Sequence, residues 1–262
     1  MSNTASPGVA ITISGLNKCF GEKVAVSNLN LSVPRGSFYG LLGPNGAGKS
    51  TTLSIMVGLL RPDSGAVTIA GVDVLSDPVS LKKRIGVVPE TLLLFERLSG
   101  AELLEYIGLL RGLDPAVIRT RSTELLDVLD LTEAAGKFVV DYSQGMRKKI
   151  SLAAALMHGP EVLLLDEPFE SVDPVSVRTI KQVLRELVSV GGTVVFSSHV
   201  METVEDLCDH VSIMNHGHAV RSGTLTEVRG GRRLEQVFAE VVGAEVLTGG
   251  QLSWLRQRSS GD

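Results

Sequence analysis

The run Gly43-Pro44-Asn45-Gly46-Ala47-Gly48-Lys49-Ser50 constrains this chain more than any other stretch. It fits the phosphate-binding pattern G-x-x-x-x-G-K-[ST]. Phe38-Tyr39-Gly40-Leu41-Leu42, just before it, reads as a short buried strand, and Thr51–Val57, just after it, as a helix closed by Gly58. Strand, glycine loop and helix form the context that the motif requires. Glycines leave the backbone bare, so successive N–H groups can converge on phosphate oxygens. The helix start adds the positive end of its dipole. Lys49 is then placed for the β- and γ-phosphates, and the Ser50 hydroxyl for Mg²⁺. The loop from Gly43 through Thr51 therefore reads as the binding site of a nucleoside triphosphate.

The strands come in two kinds. Val9, Ile11 and Ile13 alternate with Ala10, Thr12 and Ser14, and Leu29, Leu31 and Val33 with Asn28, Asn30 and Ser32. Alternation of period two predicts strands with one wet face, as in an antiparallel sheet. Val162–Leu165 and Thr193–Phe196 are instead continuous apolar runs, expected of parallel strands covered on both faces. Between Glu90 and Pro160 helical spacing takes over, with Leu103, Leu104, Ile107 and Leu110 on one face and Leu125, Leu126 and Leu129 on another. The reading is an α/β chain with a parallel core over 1–90 and 160–222, an antiparallel sheet beside it, and a helical subdomain inserted over 91–159. His216-Gly217-His218 signals a hairpin. The tail, 223–262, carries one helix-like stretch, Leu234–Val242, before loosening at Gly249-Gly250.

A net charge of −4 without a long basic run argues against a duplex-binding surface, which needs clustered Lys and Arg. Cys19 and Cys208 are too few for a disulfide framework, as suits a reducing cytoplasm. Met1–Gly8 lacks the form of a signal peptide, and no apolar run nears the ~20 residues of a membrane span.

Further chemistry gathers at strand exits. Asp166 and Glu167 follow the buried run Val162–Leu165, and ligands in parallel α/β sheets sit at the carboxyl ends of strands. Asp166 is placed to hold Mg²⁺, and Glu167 to orient or deprotonate a water attacking the γ-phosphorus. His199, after Val194–Ser198, arrives at the same edge as a hydrogen-bond donor to the γ-phosphate. Tyr142-Ser143-Gln144-Gly145-Met146 precedes Arg147-Lys148-Lys149 and an Ala/Leu-rich helix, with Ser143 as its N-cap. Three cations in a first turn oppose the helix dipole, which suggests a docking anion. The chain would then hold a second anion site beside a complete phosphate cradle.

These motifs, in this order and over nearly the whole chain, resemble the nucleotide-binding domain of ABC transporters. The resemblance implies a P-loop, RecA-like core, with Gly43–Ser50 as Walker A, Asp166 as the Walker B aspartate, Glu167 as catalytic glutamate and His199 as switch histidine. Ser171-Val172-Asp173 matches the D-loop, Asp173 being its acid. Phe20, in Lys18-Cys19-Phe20-Gly21, matches the aromatic that stacks on adenine. Tyr142–Met146 matches the signature, so Ser143 and Gly145 would serve ATP held by another subunit. Tyr142, Gln144 and Met146 depart from the common Leu-Ser-Gly-Gly-Gln. Glu90 stands where the family usually has glutamine; its carboxylate can still ligate Mg²⁺ but adds a charge. The Tyr-Ser-x-Gly-Met form with this Glu resembles the ATPase subunits of bacterial ABC-2-type exporters, which carry drugs, polysaccharides, haem-related cargo or sodium.

The resemblance thus implies a Mg-dependent ATPase that pairs with an identical or related cassette around two ATP molecules. It would drive a separate transmembrane permease from the cytoplasmic face of the cell membrane. Two rivals stand beside this. One is a soluble ATPase acting on nucleic acid or ribosomes, though such proteins usually carry paired cassettes, a coiled coil or a zinc insert. The other is a nucleotide switch without catalysis, against which Glu167 and His199 argue. The remaining histidines and both cysteines read as structural.

Overall fold

The computed structural model describes residues 8–243. The loose polar end expected from Gly249 and most of the Met1–Gly8 lead lie outside them. The chain opens with two long strands, β1 (Val9–Phe20) and β2 (Lys23–Pro34), and β3 (Phe38–Leu42) leads into α1 (Lys49–Met56). Then come β4 (Ser64–Ile69), β5 (Val72–Asp73), α2 (Pro78–Arg84) and β6 (Ile85–Val88). Helices α3 (Gly100–Leu110), α4 (Pro115–Val128) and α5 (Gln144–Leu156) separate β6 from β7 (Val162–Leu165). After α6 (Pro174–Ser189) and β8 (Thr193–Ser198) follow α7 (Met201–Leu207), β9 (His210–Asn215) and β10 (His218–Thr224). The tail adds α8 (Leu225–Arg229) and α9 (Leu234–Val242).

Two sheets result. The first is four-stranded and antiparallel, ordered β2-β1-β4-β5. The second is six-stranded, ordered β10-β9-β3-β8-β7-β6, and parallel except at the β9–β10 edge. Its three central strands, β3, β8 and β7, are buried along their whole length. That explains their unbroken apolar sequences. Side chains leave a strand on alternate faces. Tyr39 and Leu41 therefore pack with the antiparallel sheet, α1 and α2, while Phe38 and Leu42 pack with α3–α7 and α9. Phe196, wholly buried, meets Phe169 edge to face with ring centres 5.7 Å apart.

Local chemistry sets the helix boundaries. Ser99 and Glu102 form a reciprocal cap on α3, and Asp114 and Asp173 cap α4 and α6 just ahead of Pro115 and Pro174. His216 and Gly217, both at positive φ, close the β9–β10 hairpin.

The structure departs from the sequence reading in four places. α1 begins at Lys49, two residues before the expected Thr51, because Gly48 itself is the N-cap. Leu110 is 69% exposed rather than on the buried face with Leu103 and Leu104. Val9 is half exposed and Ala10 buried, because the β1–β2 ladder slips between Val9 and Ile11. The described part of the tail, up to residue 243, also holds two helices where one was expected, Thr224 and Glu227 capping the extra α8 reciprocally.

Truncating the ring that both packs the central sheet and braces Phe169 should be costly. Phe196→Ala is expected to lower unfolding free energy by about 3–5 kcal/mol in chemical denaturation.

Candidate nucleotide site

The glycine loop lies between β3 and α1, its shape set by backbone contacts rather than side chains. A Cβ on Gly43 would stand 2.5 Å from the Met214 carbonyl oxygen, and one on Gly48 would overlap the Ala25 carbonyl oxygen. Gly48 caps α1 at φ 102° without a side-chain bond, which leaves the first-turn amides available to a ligand. The hairpin tip braces the loop from behind: Gly217 N–H donates to the Ala47 carbonyl at 3.0 Å, and Ser27 N–H to the Gly217 carbonyl at 2.9 Å. Lys49, though charged, is buried, its Nζ donating to the Gly43 carbonyl at 2.7 Å and standing 3.7 Å from Glu167 Oε1.

The strand exits face this loop. Ser50 Oγ donates to Asp166 Oδ1 at 3.2 Å, and Ser197 Oγ donates to the same oxygen at 2.5 Å. Ser197 Oγ also accepts from Glu167 N–H at 2.8 Å, so one hydroxyl of β8 fixes both acids. Glu167 has φ 44°, a conformation costly for a residue with a Cβ. His199 Nδ1 lies 3.1 Å from Glu167 Oε2. Glu167 and His199, with Phe20, Asn45–Thr51, Glu90 and Glu170, line a cleft of about 360 Å³, and Asp166 and Ser197 adjoin it through their bonds to Ser50 and Glu167. Phe20 offers a half-exposed ring on its mouth, with Lys18 Nζ 5.6 Å from the ring centre. Gly43 and Pro44, outside the cleft lining, face Lys49 through their carbonyls.

Ser143, Gly145 and Asp173 do not line this cleft. They form a second cluster where the N-termini of α5 and α6 meet. Ser143 Oγ accepts from Met146 N–H, and Asp173 accepts from the Val175 and Ser176 amides. Hydrogen bonds from Ser176, then Val175, hold the Asp173 carboxyl below the usual aspartate range. A Cβ on Gly145 would come within 2.6 Å of Asp173 Oδ2, so the two helix starts touch only because this residue is glycine.

The cations after the signature do not form the open anion site that their run suggests. Arg147 pairs with Glu96 at 2.5 Å, Lys149 is buried 3.7 Å from Asp130, and Lys148 is buried with its Nζ 3.2 Å from the Glu167 carbonyl. Internal partners offset the dipole penalty that pointed to a ligand. The sequence reading also passed over Ser197, Glu170 and Gly217. Ser197 lies in the Val194–Ser198 stretch that precedes His199, and the hydroxyl-rich strand exit was the available signal.

A bare phosphate loop facing acidic strand exits across a parallel sheet defines a P-loop nucleotide-binding cassette. Residues 26–170 match the family described as ABC transporter. The linearmycin resistance ATP-binding protein of Bacillus subtilis is 39% identical over 213 residues, covering 81% of this chain and 68% of that protein. A solved structure of the ATP-binding subunit of an ABC transporter superposes with a TM-score of 0.83 at 29% identity, over 88% of this chain and 99% of that one. A dimeric ATP-binding cassette in a post-hydrolysis state, bound to ADP and Pi, gives 0.75 at 27% identity, over 82% and 98%. The chain belongs to the ABC transporter family, and within it to the ATP-hydrolysing cassettes.

Because Ser197 satisfies both acids at once, its loss leaves a buried N–H without a partner. Ser197→Ala is expected to cost about 1–3 kcal/mol of stability by denaturant titration and to lower ATP turnover by about tenfold or more.

Proposed function

We propose that this cassette pairs head to tail with a second, identical or related cassette around two Mg-ATP molecules, and that the cycle powers a separate membrane-spanning exporter. The observation carrying this reading is the division of the motifs. Asn45–Thr51, Glu167 and His199 line one cleft, with Asp166 bonded to Ser50 at its edge, whereas Ser143, Gly145 and Asp173 stand apart from it at paired helix starts. A second chain would bring the latter set over the former's nucleotide.

Within one site, the α1 amides and Lys49 bind the β- and γ-phosphates, and Phe20 stacks on adenine. The Glu167 carboxylate orients the attacking water in line with the γ-phosphorus and takes its proton, held there by His199 and the fixed peptide. Lys49 and His199 offset the charge that grows on the phosphoryl oxygens. Ser50, Asp166 and Glu90 are an oxygen-only donor set, two carboxylates and a hydroxyl, which fits Mg²⁺ that completes its shell with phosphate and water. Bound there, Mg²⁺ would supply further neutralisation of the triphosphate.

A second cavity supports the membrane partner. Val79, Leu93, Leu94, Ile107 and Leu110 line an apolar groove of about 540 Å³, joined by Lys82, Lys83 and Arg111. Leu93 is 88% exposed there, an apolar surface suited to a helix from another chain. Among the described residues no helix is long and apolar enough to cross a membrane. As the ATP-binding subunit of a transporter, the cassette would act from the cytoplasmic face, bound to its permease. Export follows from the Bacillus relative, whose name assigns it to resistance against linearmycin. No function on nucleic acid is proposed.

Mixing two defective variants tests the division. Glu167→Gln and Ser143→Arg should each nearly abolish turnover while retaining ATP. Equal mixing should restore phosphate release, because half of the mixed dimers' sites then combine an intact Glu167 with an intact Ser143. A mixture as inactive as its components would overturn the shared site. Chelating Mg²⁺ should stop phosphate release and readdition should restore it, with turnover unaffected by chelator counting against the metal.

A further inference from the structure

Lys148 lies in the helix whose start serves a neighbour's nucleotide, yet its side chain turns the other way. It is buried, and its Nζ donates to the main-chain carbonyl of Glu167, 3.2 Å away in the same chain. That carbonyl belongs to a residue at φ 44°, a conformation that persists only where neighbours enforce it. Ser197 Oγ holds the Glu167 N–H at 2.8 Å, and Lys148 holds its carbonyl. The peptide is thus pinned from β8 on one side and α5 on the other, leaving the carboxylate 3.1 Å from His199 Nδ1.

The charge of Lys148 has a further setting. It shares a cavity with Glu90, Glu170 and Gln144, and two of these, Glu90 and Glu170, also line the nucleotide cleft. Burial pushes the ammonium down from the ordinary lysine range, while Glu170, Glu90, Asp166 and Glu167 act to keep it charged. A cation here balances an acidic edge to which Glu90 contributes a charge that glutamine would not.

We infer that Lys148 is a positioning residue which acts in cis, from the signature helix, on the catalytic peptide of its own chain. α5 then ties the surface facing the neighbour's ATP to the glutamate acting on its own. Because the ammonium reaches the carbonyl of Glu167 and not the nucleotide, its removal should affect the chemical step rather than ATP binding. The inference rests on the proposed role of Glu167 and on the shared site, and the test separates them.

In the full chain, Lys148→Met should lower kcat about 10- to 100-fold, the scale of a misplaced catalytic group, with KM for ATP within about twofold. Lys148→Arg, which keeps a cationic donor, should recover most of that loss. In the mixture of Ser143→Arg and Glu167→Gln, adding Lys148→Met to the chain with the intact Glu167 should remove the restored turnover. Adding it to the chain that supplies the intact Ser143 should leave it within about twofold. Equal loss from either chain, loss confined to the second, a rise in KM matching the fall in kcat, or no rescue by arginine would each overturn the inference. A wild-type chain without turnover, or an unrestored parent mixture, would indict the ATPase or shared-site reading instead. In the latter case the Met-to-Arg comparison in the single chain still decides on Lys148.

Discussion

Between β3 and β9 the backbones approach so closely at Gly43 that no side chain fits against the Met214 carbonyl, and the cleft depends on that approach. Met214 belongs to the hairpin whose tip, Gly217, hydrogen-bonds both the glycine loop and β2. The register of the sheet does the rest. Leu42 lies opposite Ser198, Leu165 opposite Phe196, and Val88 opposite Leu165. The residues just past these positions therefore emerge along one edge: Gly43, His199, Asp166 with Glu167, and Glu90. Parallel strands make this alignment natural, because they all present their carboxyl ends to the same side.

The same sheet divides the molecule's packing. Alternate residues of β3, β7 and β8 face opposite ways and belong to separate apolar clusters, one under the antiparallel sheet and one under the helices. Phe20 reaches the cleft from the first side, on β1, while Ser143 and Gly145 belong to the second, on α5. Phe20 and the α5 start proposed to face a second chain's nucleotide are thereby fixed to opposite faces of one wall, with the strand exits between them.

How much of this was readable in the sequence depends on how local each signal is. The glycine loop, the apolar strands, the hairpin at His216-Gly217 and the helix Leu234–Val242 are short-range patterns, and each appears in the structure at or near its expected position. The slip between Val9 and Ile11 was not visible, because a bulge is a property of two paired strands. Leu110 misled for a related reason: helical spacing defines a face but not whether another element covers it. Arg147, Lys148 and Lys149 misled most. A charge run gives no sign of its partners, and Glu96, Asp130 and the Glu167 carbonyl lie far away in sequence. Ser197 was passed over because a hydroxyl acting through two acids looks, in one dimension, like any strand-end serine.

The placement of Glu90 links the chemistry to the proposed membrane partner. β6 ends at Val88, and within this short exit Val87 and Pro89 line the apolar groove while Glu90 lines the nucleotide cleft. Proline restricts the turn between them, so a displacement of one wall is hard to absorb before the other. A glutamine at this position would sense phosphate and water through neutral hydrogen bonds; a carboxylate senses charge. A helix seated against Leu93 and Leu110 would thus be connected to the state of the nucleotide by two residues of backbone and one negative charge.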